Sequence, residues 1–356
     1  MSVATVSRAL NASGRVSSQT AKGVLEAARV VGFRPNRIGR QLRATRTKTI
    51  GVLLPSLNHP VFAECLQGME AAIHDRDHAM VLATTGYRVE QEEQVSERLL
   101  QQRVDGLILT VADAQRSDVL DKLDAEGIPY VLVFNQPEPS SSKRHARPSV
   151  SVDNRLASRQ MVEHLLALGH RRIHMVAGQF QQSDRSRQRY LGYTEAMQAS
   201  GHAASPPLEV AFNATDTRAG LQDLLSRRHP PTALFCSNDQ LALTTMRDLR
   251  SLGLRVPDDI AMAGFDGVRV GEWVTPVLTT VVQPMADIGR TAVELLMRLL
   301  GGERYLAPAL LPHTLRLGGS AAGLHTAARP TGALPRSLSD ISPPPAPSLL
   351  PRKDIR

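Results

Sequence analysis

The sequence is poor in cysteine, in aromatic residues and in long apolar runs. Its two cysteines, Cys65 and Cys236, each lie in an apolar stretch, which disfavours both a disulfide framework and a cysteine-based zinc site. Aromatic residues make up 4% of the chain, and Trp273 is its single tryptophan. No apolar run approaches the roughly 20 residues of a membrane helix. The N-terminus also lacks the apolar core of a signal peptide. We therefore expect a cytoplasmic protein without a membrane partner.

The charge is unevenly distributed along the 356 residues. The chain carries a net charge of +8, and residues 1–48 hold ten basic side chains against one acidic side chain, Glu26. Residues 49–320 are mildly acidic by contrast. A basic segment on an acidic body indicates a polyanionic partner, such as nucleic acid, for one end of the chain. The alternative is a solvated basic tail.

The basic segment predicts short helices. Ser2 can cap a helix whose apolar residues recur at i, i+3 and i+4, and Ser17 or Ser18 can cap a second helix over 19–31. Pro35 permits a third short helix over 36–44. At the other end of the chain, residues 321–356 are rich in proline and serine, lack helical periodicity and are predicted to be disordered.

Between these ends, apolar runs alternate with amphipathic stretches. The apolar run TIGVLLPSL precedes the amphipathic stretch PVFAECLQGMEAAIHD. After the polar loop SSSKRHARPS, the same alternation begins again with VSVDN and ASRQMVEHLLALG. Continuous apolar strands separated by helices are typical of parallel sheets covered on both faces. Two such series predict an α/β fold with two doubly wound lobes, and a ligand cleft beyond the carboxyl ends of the strands.

Signals for catalysis are missing from the sequence. We find no phosphate loop, no HExxH, no GxSxG and no paired cysteine motif, and histidines such as His164 are scattered. The sequence therefore predicts no enzyme, no metal site and no cofactor. An exported binding protein would share the two-lobed body, but it would need a signal peptide and no basic front end.

A set of short phrases resembles the lactose-repressor (LacI/GalR) family of transcription regulators. In chain order they are TVSRALN, RPNRIGRQL, TIGVLLP, VDN, GHRRI, RYLGY, SNDQLA, GLRVPDDIAMAGFDG and TPVLTTVVQP. They run in the family's order across residues 2–320. Each phrase alone is weak evidence, but the ordered set is highly specific.

The resemblance implies a four-part organisation. A partial, all-α helix-turn-helix headpiece occupies residues 1–34, and a hinge helix and linker follow over 35–48. A periplasmic-binding-protein-like body that dimerises spans 49–320. Its first lobe takes about 49–154 plus 283–308, and its second about 155–282 plus 309–320. The implied function is a repressor with a pseudo-palindromic operator and a small-molecule effector.

For the DNA-binding end, the resemblance assigns a recognition helix to TVSRALN. Val3 and Ala4 would meet base edges in the major groove, and Arg8 is positioned for a base or a phosphate. Short hydroxyl and amide side chains suit phosphate contacts: Ser2, Thr5, Ser7, Asn11, Ser17 and Thr20. In the hinge, Leu42 matches the leucine that wedges a base step open in the minor groove, flanked by Asn36, Arg37 and Arg40. Because short isolated helices are marginal in water, we expect this hinge to fold only on DNA.

The sequence departs from the family at its beginning. The family's headpiece starts with a helix about a dozen residues upstream of TVSR, and here that helix is missing. We expect that the true start lies upstream of Met1. The alternative is a truncated member of the family that binds effector but not DNA, or a sugar-binding protein.

For the effector, a sugar, a sugar acid or a related polar metabolite, the resemblance points to Arg189, Asn238 and Asp266. Their guanidinium, amide and carboxylate groups suit hydroxyl recognition. Further residues predicted to line the cleft are Asn58, Phe62, Phe134, Asn135, Asp153, Asn154 and Trp273. Effector binding would close the lobes and change the pairing of the hinge helices.

Overall fold

A computed structural model of the chain describes residues 2–10, 16–31, 46–137 and 147–323. The predicted hinge helix with Asn36, Arg37, Arg40 and Leu42 lies outside these residues, as do Asn11 and most of the predicted disordered tail. None of the helices in the described ranges combines the length and apolarity needed to cross a lipid bilayer.

Two short helices precede the body. Helix α1 spans Val3–Leu10 and helix α2 spans Ser18–Val30. Each begins with a serine cap, since Ser2 Oγ accepts from the N–H of Thr5 and Ser17 Oγ from that of Thr20, both at 3.2 Å. Ala9 and Val24 are the buried apolar residues of this pair. Most of the other described side chains of the two helices are exposed.

The first lobe is built on a parallel sheet. Among the described residues the strand order is β11-β5-β4-β3-β1-β2. Its strands are β1 (Thr49–Leu54), β2 (Ala79–Thr84), β3 (Gly106–Leu109), β4 (Tyr130–Val133), β5 (Ser149–Ser151) and β11 (Ala309–Leu310). Its helices are α3 (Pro60–His74), α4 (Glu92–Gln101), α5 (Asp118–Glu126) and α11 (Met285–Leu300), and a short 3-10 helix spans Val89–Gln91.

The second lobe repeats this plan. Its strand order within the described part is β12-β10-β9-β8-β6-β7, parallel except that β12 runs antiparallel to β10. Its strands are β6 (Ile173–Gly178), β7 (Leu208–Val210), β8 (Ala233–Cys236), β9 (Ala261–Asp266), β10 (Thr279–Val282) and β12 (Thr314–Arg316). Its helices are α6 (Asn154–Ala167), α7 (Asp184–Ala199), α8 (Arg218–Ser226), α9 (Asp239–Ser251) and α10 (Val270–Trp273). The prediction of two doubly wound lobes is confirmed.

The chain passes between the lobes after β5, after β10 and after β11. The first lobe was predicted to end at about residue 308, but Ala309 still pairs with Val150 in the sheet of that lobe. That limit is therefore too early, and the passage follows Leu310. The three connections between the two sheets are residues 152–153, 283–284 and 311–313.

Glycine allows the closest helix contact in the first lobe. A Cβ atom on Gly68 of α3 would lie 2.0 Å from the carbonyl oxygen of Ala286, and one on Gly289 of α11 would lie 2.1 Å from that of Cys65. Helices α3 and α11 therefore touch backbone to backbone, which fixes the first lobe as one packed unit.

Candidate functional site

Arg189 of α7 lies at the centre of a buried polar group in the cleft. Its Nε donates to Asn154 Oδ1 at 2.9 Å, and its Nη1 donates to the carbonyl oxygen of Ser237 at 2.5 Å and to Asp266 Oδ1 at 3.3 Å. Its guanidinium carbon stands 3.6 Å from the ring centre of Phe265. Because these partners sit at strand ends or helix starts of the second lobe, the doubly wound topology itself brings them together.

Asp266 is the acidic partner of Arg189 and ends β9. Its Oδ1 also accepts from Gln283 Nε2 at 2.8 Å. Burial raises the pKa of Asp266 to about 6, against the opposing effect of the Arg189 charge. Its φ of 123° lies where side chains other than glycine are uncommon. The backbone around Asp266 is thus held in an unusual conformation.

Asp239, the first residue of α9, supports that backbone. Its Oδ2 accepts from the N–H groups of Gly267 and Val268, each at 2.8 Å, and its Oδ1 accepts from Thr280 Oγ1 at 2.5 Å. Burial raises the pKa of Asp239 to about 8. Asp239 therefore positions the turn that follows Asp266, next to a passage of the chain between the lobes.

Asp184, the first residue of α7, joins the second lobe to the first. Its N–H donates to the carbonyl oxygen of Ala112 at 2.7 Å. Its Oδ2 accepts from the N–H of Ala114 at 3.1 Å and from Asn135 Nδ2 at 2.8 Å. Ala112, Ala114 and Asn135 all follow strands of the first lobe. The lobes are therefore closed on each other in this structure.

Two further arginines of α7 cross the cleft. Arg185 Nη1 donates to the carbonyl oxygen of Val111 at 3.0 Å and to Asp184 Oδ1 at 3.1 Å. Arg187 Nη2 pairs with Asp113 Oδ2 at 2.9 Å. Arg185 is buried, and its Nη2 has no hydrogen-bond partner among the described residues, whereas Arg187 is partly exposed. Arg185 therefore leaves a buried donor unpaired, whereas Arg187 forms a partly exposed ion pair across the cleft.

Aromatic rings from both lobes meet over the polar group. Phe212 stacks on Tyr87 with ring centres 4.7 Å apart and lies 5.8 Å from His59. His59 and Phe134 each pack against Phe62, at 5.8 and 5.5 Å. Phe212 belongs to the second lobe and the other four rings to the first. Ring faces of this kind suit the apolar face of a small cyclic ligand.

His59 is buried at the start of α3 beside Asn238. Neither ring nitrogen of His59, nor Nδ2 of Asn238, has a hydrogen-bond partner within the part of the chain that the structure describes. Burial, helped by the charges of Arg189 and Arg185, lowers the pKa of His59 to about 4. A neutral imidazole therefore faces the arginines at neutral pH.

A small, half-open pocket lies between the lobes, lined by residues that include His59, Arg185 and Phe212. Four of the residues predicted from the sequence line it: Phe62, Phe134, Arg189 and Asp266. Asn154 and Asn238 are buried beside it, and Asn135 bridges the lobes. Asp153 instead caps α6, accepting from the N–H of Leu156 at 3.0 Å.

Two predicted cleft residues lie elsewhere. Asn58 is exposed, and its N–H donates to Ser56 Oγ at 3.1 Å in the turn before α3, so the next residue, His59, points inward instead. Trp273 ends α10 with 72% of its surface exposed. The prediction that Asn58 and Trp273 line the cleft is therefore wrong.

Sequence reasoning missed several residues of the cleft: His59, Tyr87, Asp184, Arg185, Phe212 and Gln283. A usable signal existed for some of them. Arg185 stands four residues before Arg189, so both share one face of a helix. His59 and Phe62 are spaced three apart at the beginning of α3. Tyr87 and Phe212 each follow a strand, at the sheet edge where ligands bind.

The residues predicted to bind DNA lie at the exposed front end where the structure describes them. Val3, Ala4 and Arg8 of α1 are all exposed, Val3 at 87%. Thr5 and Thr20 are half-buried beside the capping serines, Ser2 and Ser17. Ser7 is part of α1. One surface of α1 is therefore available for contact with a partner.

Known families match both parts of the chain. The family of bacterial regulatory proteins called lacI matches residues 1–36, and a periplasmic binding protein-like domain matches residues 162–321. Catabolite control protein A of Priestia megaterium is 30% identical over 318 residues, covering 88% of this chain and 94% of that protein. The transcriptional repressor CytR of Escherichia coli is 30% identical over 306 residues, covering 85% and 87%.

Solved structures agree with these relatives. The lac repressor dimer bound to operator and an anti-inducer superposes with a TM-score of 0.79 at 27% identity, covering 91% of this chain and 96% of that one. A complex of the transcriptional regulator CelR with cellobiose gives a TM-score of 0.67 at 30% identity, covering 88% and 94%.

A two-lobed ligand-binding body behind basic helices defines an effector-controlled, DNA-binding transcription regulator. The chain belongs to the lacI family of bacterial regulatory proteins. Among the relatives named above, CytR is a transcriptional repressor and CelR a transcriptional regulator. The family resemblance and the repressor function predicted from the sequence are confirmed.

Proposed function

We propose that this chain is a cytoplasmic, non-enzymatic repressor that binds a pseudo-palindromic operator as a homodimer. The exposed face of α1, with Val3, Ala4 and Arg8, reads base edges in the major groove. The phosphate contacts come from short polar side chains: Ser2, Thr5, Ser7, Asn11, Ser17 and Thr20. In the hinge, Leu42 enters the minor groove beside Asn36, Arg37 and Arg40. The dimer and operator of the lac repressor complex support this assignment.

The observation that carries the effector site is the Arg189–Asp266 pair, which is almost completely buried in the closed cleft. Taking charges out of water costs free energy even when they are paired and hydrogen-bonded, so the burial of this polar cluster at the cleft supports a role in recognition. A sugar or sugar-like metabolite would place hydroxyls on Arg189 and Asp266, with Asn154 and Asn238 behind them and the ring against Phe62. The cellobiose bound by CelR supports this ligand class.

Control of DNA binding then follows from lobe closure. An effector that bridges Arg189 of the second lobe and Phe62 of the first favours the closed form. Closure turns the two first lobes of a dimer relative to each other and changes how the hinge segments pair. A ligand can shift this equilibrium only by its different affinity for the two states, typically about 1–3 kcal/mol.

A binding assay tests the proposal. The full chain is mixed at about 150 mM salt with labelled DNA from the promoter of its own gene, and with shuffled DNA of equal length. We expect tighter binding to the promoter, and a change in that affinity when the effector is added. Equal affinity for the two DNAs would remove the basis of the proposed function.

A further inference from the structure

Arg185 is a second guanidinium in the cleft and is not needed to balance Asp266. Arg189 already pairs with Asp266, at 3.3 Å. Arg185 pairs with Asp184 through Nη1 alone, at 3.1 Å, and lines the cavity with 4% of its surface exposed. Its Nη2 has no partner among the residues that the structure describes. One half of a charged fork is therefore buried and free to bind a ligand.

The carboxylate of Asp184 already accepts from three donors. Its Oδ2 accepts from Ala114 and Asn135, and its Oδ1 accepts from Arg185 Nη1. The contacts of Asp184 across the lobe interface fix its carboxylate in place. The Nη2 N–H groups of Arg185 are therefore available to an acceptor in the cleft.

The unpaired groups around the cavity are mainly donors. Arg185 Nη2 can only donate, and so can Asn238 Nδ2, which lies beside His59. The hydroxyl of Tyr87 and the neutral imidazole of His59 can each donate and accept. An arginine fork matches the geometry and charge of a carboxylate or phosphate better than that of a neutral hydroxyl. The unpaired donors of the cavity therefore favour a ligand with an anionic group that offers several hydrogen-bond acceptors.

We propose that the effector is a small hydroxylated acid, with its anionic group on Arg185 Nη2 and its hydroxyls on Arg189 and Asp266. This inference rests on the proposed effector site and narrows its ligand class. It assigns Arg185 as the residue that distinguishes acids from the matching neutral sugars. The anion can be a carboxylate or a phosphate ester, and the probes below separate the two.

The test compares ligand pairs that differ at the acidic group. Gluconate is matched with sorbitol, galacturonate with galactose, and glucose 6-phosphate with glucose. Each is added to the full chain, and binding is followed by thermal shift and then by titration calorimetry. We expect at least one acid to bind ten or more times more tightly than its neutral partner. Preference for the first two acids indicates a carboxylate, and preference for the third a phosphate.

Three variants tie the preference to one side chain. R185Q should reduce the ratio of acid to neutral affinity to about one, and R185K, which keeps the charge but not the fork, should retain part of it. The matched control is R187Q, which removes the partly exposed interlobe pair with Asp113. It should change both affinities of a pair equally, because Arg187 is not among the residues that line the cavity.

Each result decides for or against the inference. An acid preference that R185Q abolishes and R187Q preserves supports it. Equal or tighter binding of the neutral partners overturns it while leaving the proposed effector site intact, and so does an acid preference that survives in R185Q. Failure of every acid to stabilise the chain also overturns it. If an acid binds but leaves operator affinity unchanged, the proposed control of DNA binding fails and the acid assignment stands.

Discussion

The side-chain amide of Asn135 donates a 2.8 Å hydrogen bond to Asp184 and so joins the end of β4 in the first lobe to the start of α7 in the second. Asn135 also closes a pair of bonds with the backbone of Val111, accepting at 3.0 Å and donating at 2.9 Å. All three bonds are buried. This single amide therefore ties the closed form of the cleft to the fold of the first lobe.

We expect N135A to lower the free energy of unfolding by about 1–3 kcal/mol, because it leaves buried partners on Val111 and Asp184 unsatisfied. It should also favour the open form, seen as a larger radius of gyration in small-angle X-ray scattering. N58A is the matched control, since Asn58 is exposed. If N135A and N58A show the same stability and the same radius, Asn135 does not hold the lobes together.

The Arg189–Asp266 pair gives a second prediction. D266N should destabilise the chain by about 3–5 kcal/mol, because it leaves a buried guanidinium without its counter-charge. It should also weaken effector binding through the loss of an acceptor. The measurement is chemical denaturation followed by calorimetry with a ligand found in the screen above. D216N removes an exposed acid paired with Arg218 and should change little. Wild-type affinity in D266N would exclude Asp266 from the site.

Glu92 makes the stability of the chain depend on pH. Burial raises its pKa from an ordinary 4.5 to about 7, although the N–H of Ala112 donates to it at 2.7 Å. The folded chain therefore holds a proton on Glu92 that the unfolded chain loses, between about pH 4.5 and pH 7. Its contribution to stability is complete below that window and is lost as the pH rises through it.

We expect E92Q to raise the melting temperature at pH 8 and to leave it nearly unchanged at pH 4.5. The amide oxygen of glutamine can still accept from Ala112. Asp239 and Asp266 titrate in the same direction, so the quantity to plot is the difference between wild type and variant from pH 4.5 to 8. E90Q controls for net charge on an exposed neighbour. A flat difference curve would contradict the assignment.

The two-lobed fold could be predicted because buried strands and amphipathic helices each have a recognisable pattern of apolar residues in the sequence. Every residue of β1 is buried, and so is every residue of β9, and both are free of polar side chains except for Thr49 at the start of β1 and Asp266 at the end of β9. Their alternation with amphipathic helices then leaves few possible topologies. The third passage between lobes was misplaced because β11 has two residues and no periodicity to detect.

The cleft was only partly predictable, for a physical reason. Arg189 and Asp266 could be found because a resemblance marks them. The bond from Arg185 to the carbonyl of Val111 joins residues 74 positions apart, and no short-range pattern encodes it. Trp273 was expected in the cleft because a sugar pocket needs an aromatic wall, yet the side chain is exposed at the end of α10. Lobe packing, which decides both cases, is a property of the closed structure.

The front end of the chain supplies the last prediction, which concerns Arg8. Arg8 is exposed on α1, beside a face that also presents Val3 and Ala4. If it pairs with a guanine, R8A should weaken binding to the promoter by about 1–3 kcal/mol and relax the preference for one base pair. If it pairs only with phosphate, R8A should instead weaken binding to all sequences alike and lower the salt dependence by about one unit.

Fluorescence anisotropy over a salt series, with a set of singly substituted operators, separates the two results. R255A, which removes an exposed arginine from the second lobe, is the control for net charge. Unchanged affinity and unchanged salt dependence in R8A would show that this face of α1 does not contact DNA.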